Sequence, residues 1–239
     1  MLMTDPDKTR LISLIDFTRL LDHDNESDIR EFCKKASTPL GPVAALCVYP
    51  EFITAAKNTK PTIPVATVAN FPSGNDALPA VEQSILSSLE KGADEIDVVM
   101  PYKRLIVADM DYVIQFLNRC RELTKNYVLK IIIETAALDE AHIAQATQLV
   151  ADCGADFVKT STGKMAGASL EAVTIVLETL ALLTNPPGIK ISGGIHTPEQ
   201  AQSYLDLIEK HMGRAWITPT HVRLGSSRLI DALEALPKS

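Results

Sequence analysis

Short apolar runs ending in turn residues alternate with amphipathic stretches along the whole chain. This alternation restricts the fold most, because it marks βα units laid into a parallel sheet. The candidate strands are Ser13–Phe17, Val43–Tyr49, Ile63–Ala69, Glu95–Met100, Val128–Glu134, Phe157–Thr160, Ile189–Ser192 and Val222–Leu224, eight in all. Between them the spacing predicts helices. Leu78, Val81, Ile85 and Leu89 recur on one helical face, and Gly92 supplies a stop. A later helix opens on Thr197-Pro198-Glu199-Gln200, where Thr197 can cap, Pro198 suits the first helical position and Gln200 completes a capping box. Gly213 ends it.

Eight units in 239 residues average about 30 each, the size of a βα repeat, and no Gly/Ser-rich linker divides the chain. The expected architecture is a single (β/α)8 barrel over residues 1–239. The rival, an open doubly wound sheet, normally has a glycine-rich turn after its first strand, and Asp16-Phe17-Thr18-Arg19 is not one. In a barrel, function sits at the C-terminal ends of the strands.

Several classes of function are excluded early. Apolar stretches such as Val43–Val48 and Ile131–Ile133 fall well short of the roughly 20 residues that a membrane span needs. The N-terminus carries Asp5 and Asp7 where a secretory leader would be basic, so a soluble cytoplasmic protein without a membrane partner is expected. The formal charge is −7 and no basic run exceeds Lys34-Lys35, which argues against a nucleic-acid partner. Cysteines 33, 47, 120 and 153 match neither a disulfide framework nor a CxxC pair, so reduced thiols are expected. The five histidines form no HxH or HxxxH pair, and no metal site is expected. A homodimer is allowed, but no oligomeric state is dictated.

The main anomaly is charge inside apolar strands: Asp97, Lys130, Lys159, Lys190 and Arg223 each interrupt a run of branched residues. Burying an unpaired charge is expensive, so these groups must pair, shift their pKa or point outward. A desolvated lysine beside a second cation is pushed towards its free-amine form, which attacks carbonyls. Lys159 is the favoured nucleophile, because it ends its strand and is followed by the small polar loop Thr160-Ser161-Thr162-Gly163. Lys190 is then the second cation, and Asp97 a carboxylate for proton transfer.

Phosphate would sit elsewhere on the same rim. Gly193-Gly194 follows the seventh strand and Gly225-Ser226-Ser227 the eighth, matching the usual barrel phosphate site of backbone N–H groups. Gly163-Lys164 is not a P-loop, since Val158 stands where the earlier glycine would be, but it can add a phosphate cation.

At these residues the sequence resembles the deoxyribose-phosphate aldolase family, from about Leu14 to Leu233. LIDFTRL, AALCVYP, VANFPSGN, GADEIDVVMPY, LKIIIET, GADFVKTSTG, KxSGG and LGSS occur in the family's order. The resemblance implies a barrel without cofactor or metal. It implies reversible cleavage of 2-deoxy-D-ribose 5-phosphate to acetaldehyde and D-glyceraldehyde 3-phosphate through a lysine Schiff base. By position, Lys159 resembles the Schiff-base lysine, Lys190 its pKa-lowering partner and Asp97 the proton-relay acid. Asp16, Thr18, Cys47 and Lys130 match residues of the substrate site; Thr160 is read with them, and Gly163, Lys164, Gly193, Gly194, Gly225, Ser226 and Ser227 are read as the phosphate site from their place on the rim.

Three positions depart from the family pattern. Ile191 stands where alanine or proline is common and is bulky enough to shift Lys190; His196 stands where arginine is common; and the chain ends in Pro237-Lys238-Ser239 rather than in a tyrosine. Two other readings remain open at this point: a Schiff-base aldolase for another phosphorylated sugar, and a non-catalytic barrel that binds a phosphometabolite.

Overall fold

The structure, a computed structural model, describes residues 3–237. Met1, Leu2, Lys238 and Ser239, on which readings of the two chain ends partly rest, lie outside the described residues. Eight parallel strands close into a barrel, with helices between them. They are β1 (Ile15–Arg19), β2 (Ala45–Val48), β3 (Val65–Ala69), β4 (Glu95–Val99), β5 (Val128–Ile132), β6 (Phe157–Lys159), β7 (Gly188–Ser192) and β8 (Val222–Ser226). Each pairs with its neighbours in sequence, and β1 pairs with β8 to close the ring. The expected (β/α)8 barrel is the observed fold.

Local differences have simple causes. The first strand begins at Ile15 rather than Ser13, because Ser13 ends an N-terminal helix, Asp5–Ser13. Thr4 caps that helix: its hydroxyl accepts from the Asp7 N–H at 3.4 Å, and the Asp7 carboxylate accepts from the Thr4 N–H at 3.2 Å. A small antiparallel hairpin, Ser37–Thr38 with Gly41–Pro42, occupies the approach to β2 and shortens it at its start. The helix Leu78–Glu90 buries Val81 and Ile85, and Pro198–Met212 opens on the Thr197 capping box and stops at Gly213, both as the spacing predicts. None of the helices in the described residues is long and apolar enough to cross a membrane.

Alternate strand residues face opposite sides of the sheet, and this period of two separates two environments. Outward residues such as Ile96, Val98, Ile131, Ile189, Ile191 and Leu224 join the main apolar core. Inside the barrel, a small apolar cluster of Leu20, Cys47, Ala66 and Val68 lines the β2–β3 side. The other side is charged: Asp16, Glu95, Asp97, Lys130, Lys159, Lys190 and Arg223 are all buried. Register places Asp97 opposite Lys130, and Lys190 between Lys159 and Arg223.

Gly188 shows how tightly this interior is filled. A Cβ there would stand 2.6 Å from the Phe157 ring and 2.7 Å from the His221 carbonyl oxygen. The Phe157 ring in turn packs 5.3 Å from the Arg223 guanidinium carbon. Gly188→Ala should therefore destabilise the fold by about 1–3 kcal/mol through overpacking, seen as a lower urea midpoint with an unchanged slope.

Candidate active site

The buried charges form one connected network. Asp97 Oδ2 accepts from Lys159 Nζ and Lys190 Nζ at 2.7 Å each, and its Oδ1 accepts from Lys130 Nζ at 2.9 Å. Asp16 lies 2.6 Å from Lys190 and 3.2 Å from Lys130, and accepts from Arg223 at 2.7 Å. Glu95, two residues before Asp97 on the same strand face, pairs with Lys130 and, at 3.1 Å, with Arg223. Three carboxylates thus face four cations. With Lys159 neutral the network balances; with Lys159 protonated it carries one surplus positive charge.

The titration directions follow this balance. Asp97 and Asp16 are held well below the carboxylate range, because the surrounding lysines outweigh the cost of their burial. Lys130 and Lys190, each facing Asp16 and Asp97, keep their protons more tightly than a free lysine despite being buried. Lys159 goes the other way. Burial pushes its pKa down and the Lys190 charge pushes the same way, while Asp97 alone opposes them strongly.

Access also singles out Lys159. A cleft of about 910 Å³ opens at the C-terminal ends of β1, β6, β7 and β8, and of the seven network residues only Lys159 lines it. Gly163, Lys164, Gly193, Gly194, Gly225, Ser226 and Ser227 line the same cleft, so the fold brings all the residues read as a phosphate site to one place beside the lysine. Their geometry sorts them further. Gly193 and Gly194 have φ of 89° and 80°, a conformation glycine adopts without strain. The Ser226 hydroxyl is engaged, donating to the Ile195 carbonyl at 2.6 Å and accepting from the Leu229 N–H at 3.1 Å, whereas Ser227 is exposed. Lys164 turns towards the loop after β1, donating to the Leu20 carbonyl at 2.9 Å and pairing with Asp22 at 3.2 Å.

Thr18 lines the cleft, and its hydroxyl donates to the Asp16 carbonyl at 2.8 Å. Asp16, Lys130 and Cys47 lie buried beneath the opening rather than on its wall. Cys47 stands opposite Thr18 in the sheet, and burial pushes its thiol pKa up, away from thiolate. Thr160 ties β6 to β7: its hydroxyl accepts from the Ser192 N–H at 3.1 Å. Ile191 does not displace Lys190, because it occupies the outward face of β7 within the main core. All four cysteines are free.

Sequence reasoning gave no role to Glu95, Glu134 or Arg228, and read Thr162 and Ser192 only as members of the polar loop after the sixth strand and of the glycine turn after the seventh. Glu95 was legible in principle, since period two puts it on the Asp97 face. Arg228 also lines the cleft, and among the described residues its side chain has no ion-pair or hydrogen-bond partner.

Comparison with known proteins bears on what this site is for. The DeoC/LacD family aldolase model matches residues 10–215, most of the chain. The chain belongs to the DeoC/LacD family of aldolases. As a member it is a lyase of the deoxyribose-phosphate aldolase type. Among solved structures, an aldolase named QR15 is 28% identical with a TM-score of 0.82, over 94% of each chain. A candidate deoxyribose-phosphate aldolase from Coccidioides immitis is 27% identical with a TM-score of 0.84, over 95% of this chain and 86% of its own. The deoxyribose phosphate aldolase of Aeropyrum pernix, described as a tetramer, shares the fold at 24% identity and a TM-score of 0.80, over 95% of this chain and 91% of its own.

The charge balance yields a test on Lys159. Lys159 and Lys190 share one carboxylate oxygen at 2.7 Å each, so their nitrogens are at most twice that distance apart. At an effective dielectric of about 20 such a pair repels by about 3 kcal/mol. Lys190→Leu should raise the Lys159 pKa, because Lys159 becomes the third cation that the three carboxylates require. NMR titration of the isotopically labelled lysine side chains measures it.

Proposed function

We propose that this aldolase cleaves 2-deoxy-D-ribose 5-phosphate reversibly to acetaldehyde and D-glyceraldehyde 3-phosphate, with Lys159 as the Schiff-base nucleophile. The observation that carries the reading is the double singularity of Lys159: among the network residues it alone reaches the cleft, and among the network lysines it alone has a pKa pulled down. A lysine that sheds its proton readily and meets solvent is the one equipped to attack a carbonyl.

In the proposed reaction the Lys159 amine adds to C1 of the open-chain sugar and the carbinolamine loses water to give a protonated imine. The C2–C3 bond then breaks, its electron pair moving towards the imine nitrogen while the C3 hydroxyl proton leaves. Glyceraldehyde 3-phosphate departs, and the enamine carbon takes up a proton. Hydrolysis returns the free amine and releases acetaldehyde. Asp97 and Lys190, joined at 2.7 Å directly beside Lys159, are the groups assigned to order the water that carries these protons. The Ser192 hydroxyl is buried at the cleft without a hydrogen-bond partner, an acceptor and donor suited to a sugar hydroxyl.

The phosphate is assigned to the glycine-rich wall of the cleft, at Gly193, Gly194 and Ser227. Arg228 is the counter-charge there, because Lys164 is already engaged with Asp22 and the Leu20 carbonyl. A charge-assisted hydrogen bond contributes about 1.5–3 kcal/mol, roughly 10- to 100-fold in affinity. Arg228→Met is therefore expected to raise KM for the phosphorylated sugar by about 10-fold or more and to leave KM for unphosphorylated deoxyribose unchanged. Steady-state kinetics with both sugars checks it.

The nucleophile is tested by borohydride trapping. Reduction in the presence of deoxyribose 5-phosphate should add a stable adduct mass at Lys159, and Lys159→Ala should lose both the label and nearly all turnover, since a covalent nucleophile has no partial substitute. Label on another lysine would move the nucleophile. A panel of phosphorylated sugars separates this substrate from another phosphorylated sugar, and absence of any label would favour a non-catalytic binder.

A further inference from the structure

One buried ionisable residue beside the site takes no part in the chemistry proposed above. Glu134 follows β5 with φ of 56° and ψ of 64°, a left-handed conformation that a residue with a Cβ keeps only when its surroundings hold it there. Its side chain is fully buried, and its two carboxylate oxygens lie 3.4 and 3.3 Å from the Thr162 N–H that donates to them. The contacts on either side run in register with this one. The Ile133 N–H donates to the Lys159 carbonyl at 2.9 Å, the Thr135 N–H donates to the Thr160 carbonyl at 2.9 Å, and the Thr135 and Ser161 hydroxyls stand 3.4 Å apart. Residues 133–135 therefore grip residues 159–162 one after another. The gripped segment is the end of β6 that carries Lys159, and its continuation, Thr162 and Gly163, forms the adjoining cleft wall.

The Thr162 N–H has no strand partner here, because β6 ends at Lys159. An unpaired buried N–H would let this segment shift to find another acceptor. The left-handed turn at Glu134 swings a long carboxylate under the segment and satisfies that donor. We propose that Glu134 is a positioning residue of the aldolase, whose carboxylate holds the Thr160–Thr162 segment and so fixes Lys159 and the cleft wall relative to the substrate. The inference rests on Lys159 being the nucleophile. Burial raises the Glu134 carboxyl pKa, while the Thr162 hydrogen bonds and the Lys159 charge pull it back.

Chain length and charge can be separated. Glu134→Gln keeps an acceptor oxygen at the right reach without the charge, Glu134→Asp keeps the charge one methylene short, and Glu134→Gly removes the side chain while relieving the left-handed strain. Misplacing a reacting group by about 1 Å can cost on the order of 100-fold. Glu134→Gly and Glu134→Asp should lose about 10- to 100-fold in kcat with a smaller change in KM. In Glu134→Gly the Tm should stay level or rise, and glutamine should restore most of the lost kcat. The readouts are kcat and KM for deoxyribose 5-phosphate, Tm, and borohydride labelling of Lys159. If Glu134→Gly or Glu134→Asp retains full kcat, or if Glu134→Gln is as impaired as Glu134→Asp, the positioning role is wrong; the second result would show that reach without the charge does not suffice. Absence of label in the unmodified enzyme would instead overturn the nucleophile on which the inference rests.

Discussion

Charge neutrality in a dry barrel interior is the constraint on which the rest of this molecule depends. Seven ionisable side chains from β1 and β4–β8 meet in a space that water scarcely enters. An isolated charge there would be prohibitive, and removing one partner of a buried pair typically costs about 3–5 kcal/mol. The arrangement is tolerable because each carboxylate touches at least two cations and Lys130 touches all three carboxylates. The odd member is the fourth cation. Physical balance leaves one lysine whose proton the network does not need, and the same lysine stands at the cleft.

Structure and reactivity are therefore not separable at this site. Replacing the network by apolar residues of similar volume could preserve a barrel, but it would remove the field that distinguishes Lys159 from Lys130 and Lys190. Those two sit deeper, between Asp16 and Asp97, and hold their protons; Lys159 has one carboxylate partner and one like charge near it. Position along a strand by a single period, together with register against the neighbouring strand, thus sets which amine the network holds least tightly in its protonated form.

The apolar half of the interior has a complementary part. Leu20, Cys47, Ala66 and Val68 give the charged groups no further partners on the β2–β3 side, so the network closes on itself. The segments after β6 and β7 and the end of β8 then supply small residues to the cleft wall: Gly163 and Gly194 leave open space, while Gly193 and Gly225 let the backbone pack closely against Gly167 and Ser192.

How much of this was legible from residues alone can be traced element by element. Eight apolar runs separated by amphipathic stretches determine a (β/α)8 barrel, because each run needs burial on both faces and each amphipathic stretch on one. Asp97, Lys130, Lys159, Lys190 and Arg223 stood out for the same reason: a charge in such a run cannot be neutral to the fold. The first strand was misjudged by two residues because Ser13 belongs to a helix whose cap, Thr4 with Asp7, lies in a stretch read only for leader signals. Only the tertiary structure decided that Ile191 faces away from Lys190, that Lys164 is spent on the loop after β1 while Arg228 is not, and that Glu134 reaches Thr162. Composition and period determine which residues must be buried and on which face. Which buried charge meets which, and which is left over, depends on strand register and barrel closure, since these bring residues such as Asp16 and Arg223 within 2.7 Å across more than two hundred positions of chain.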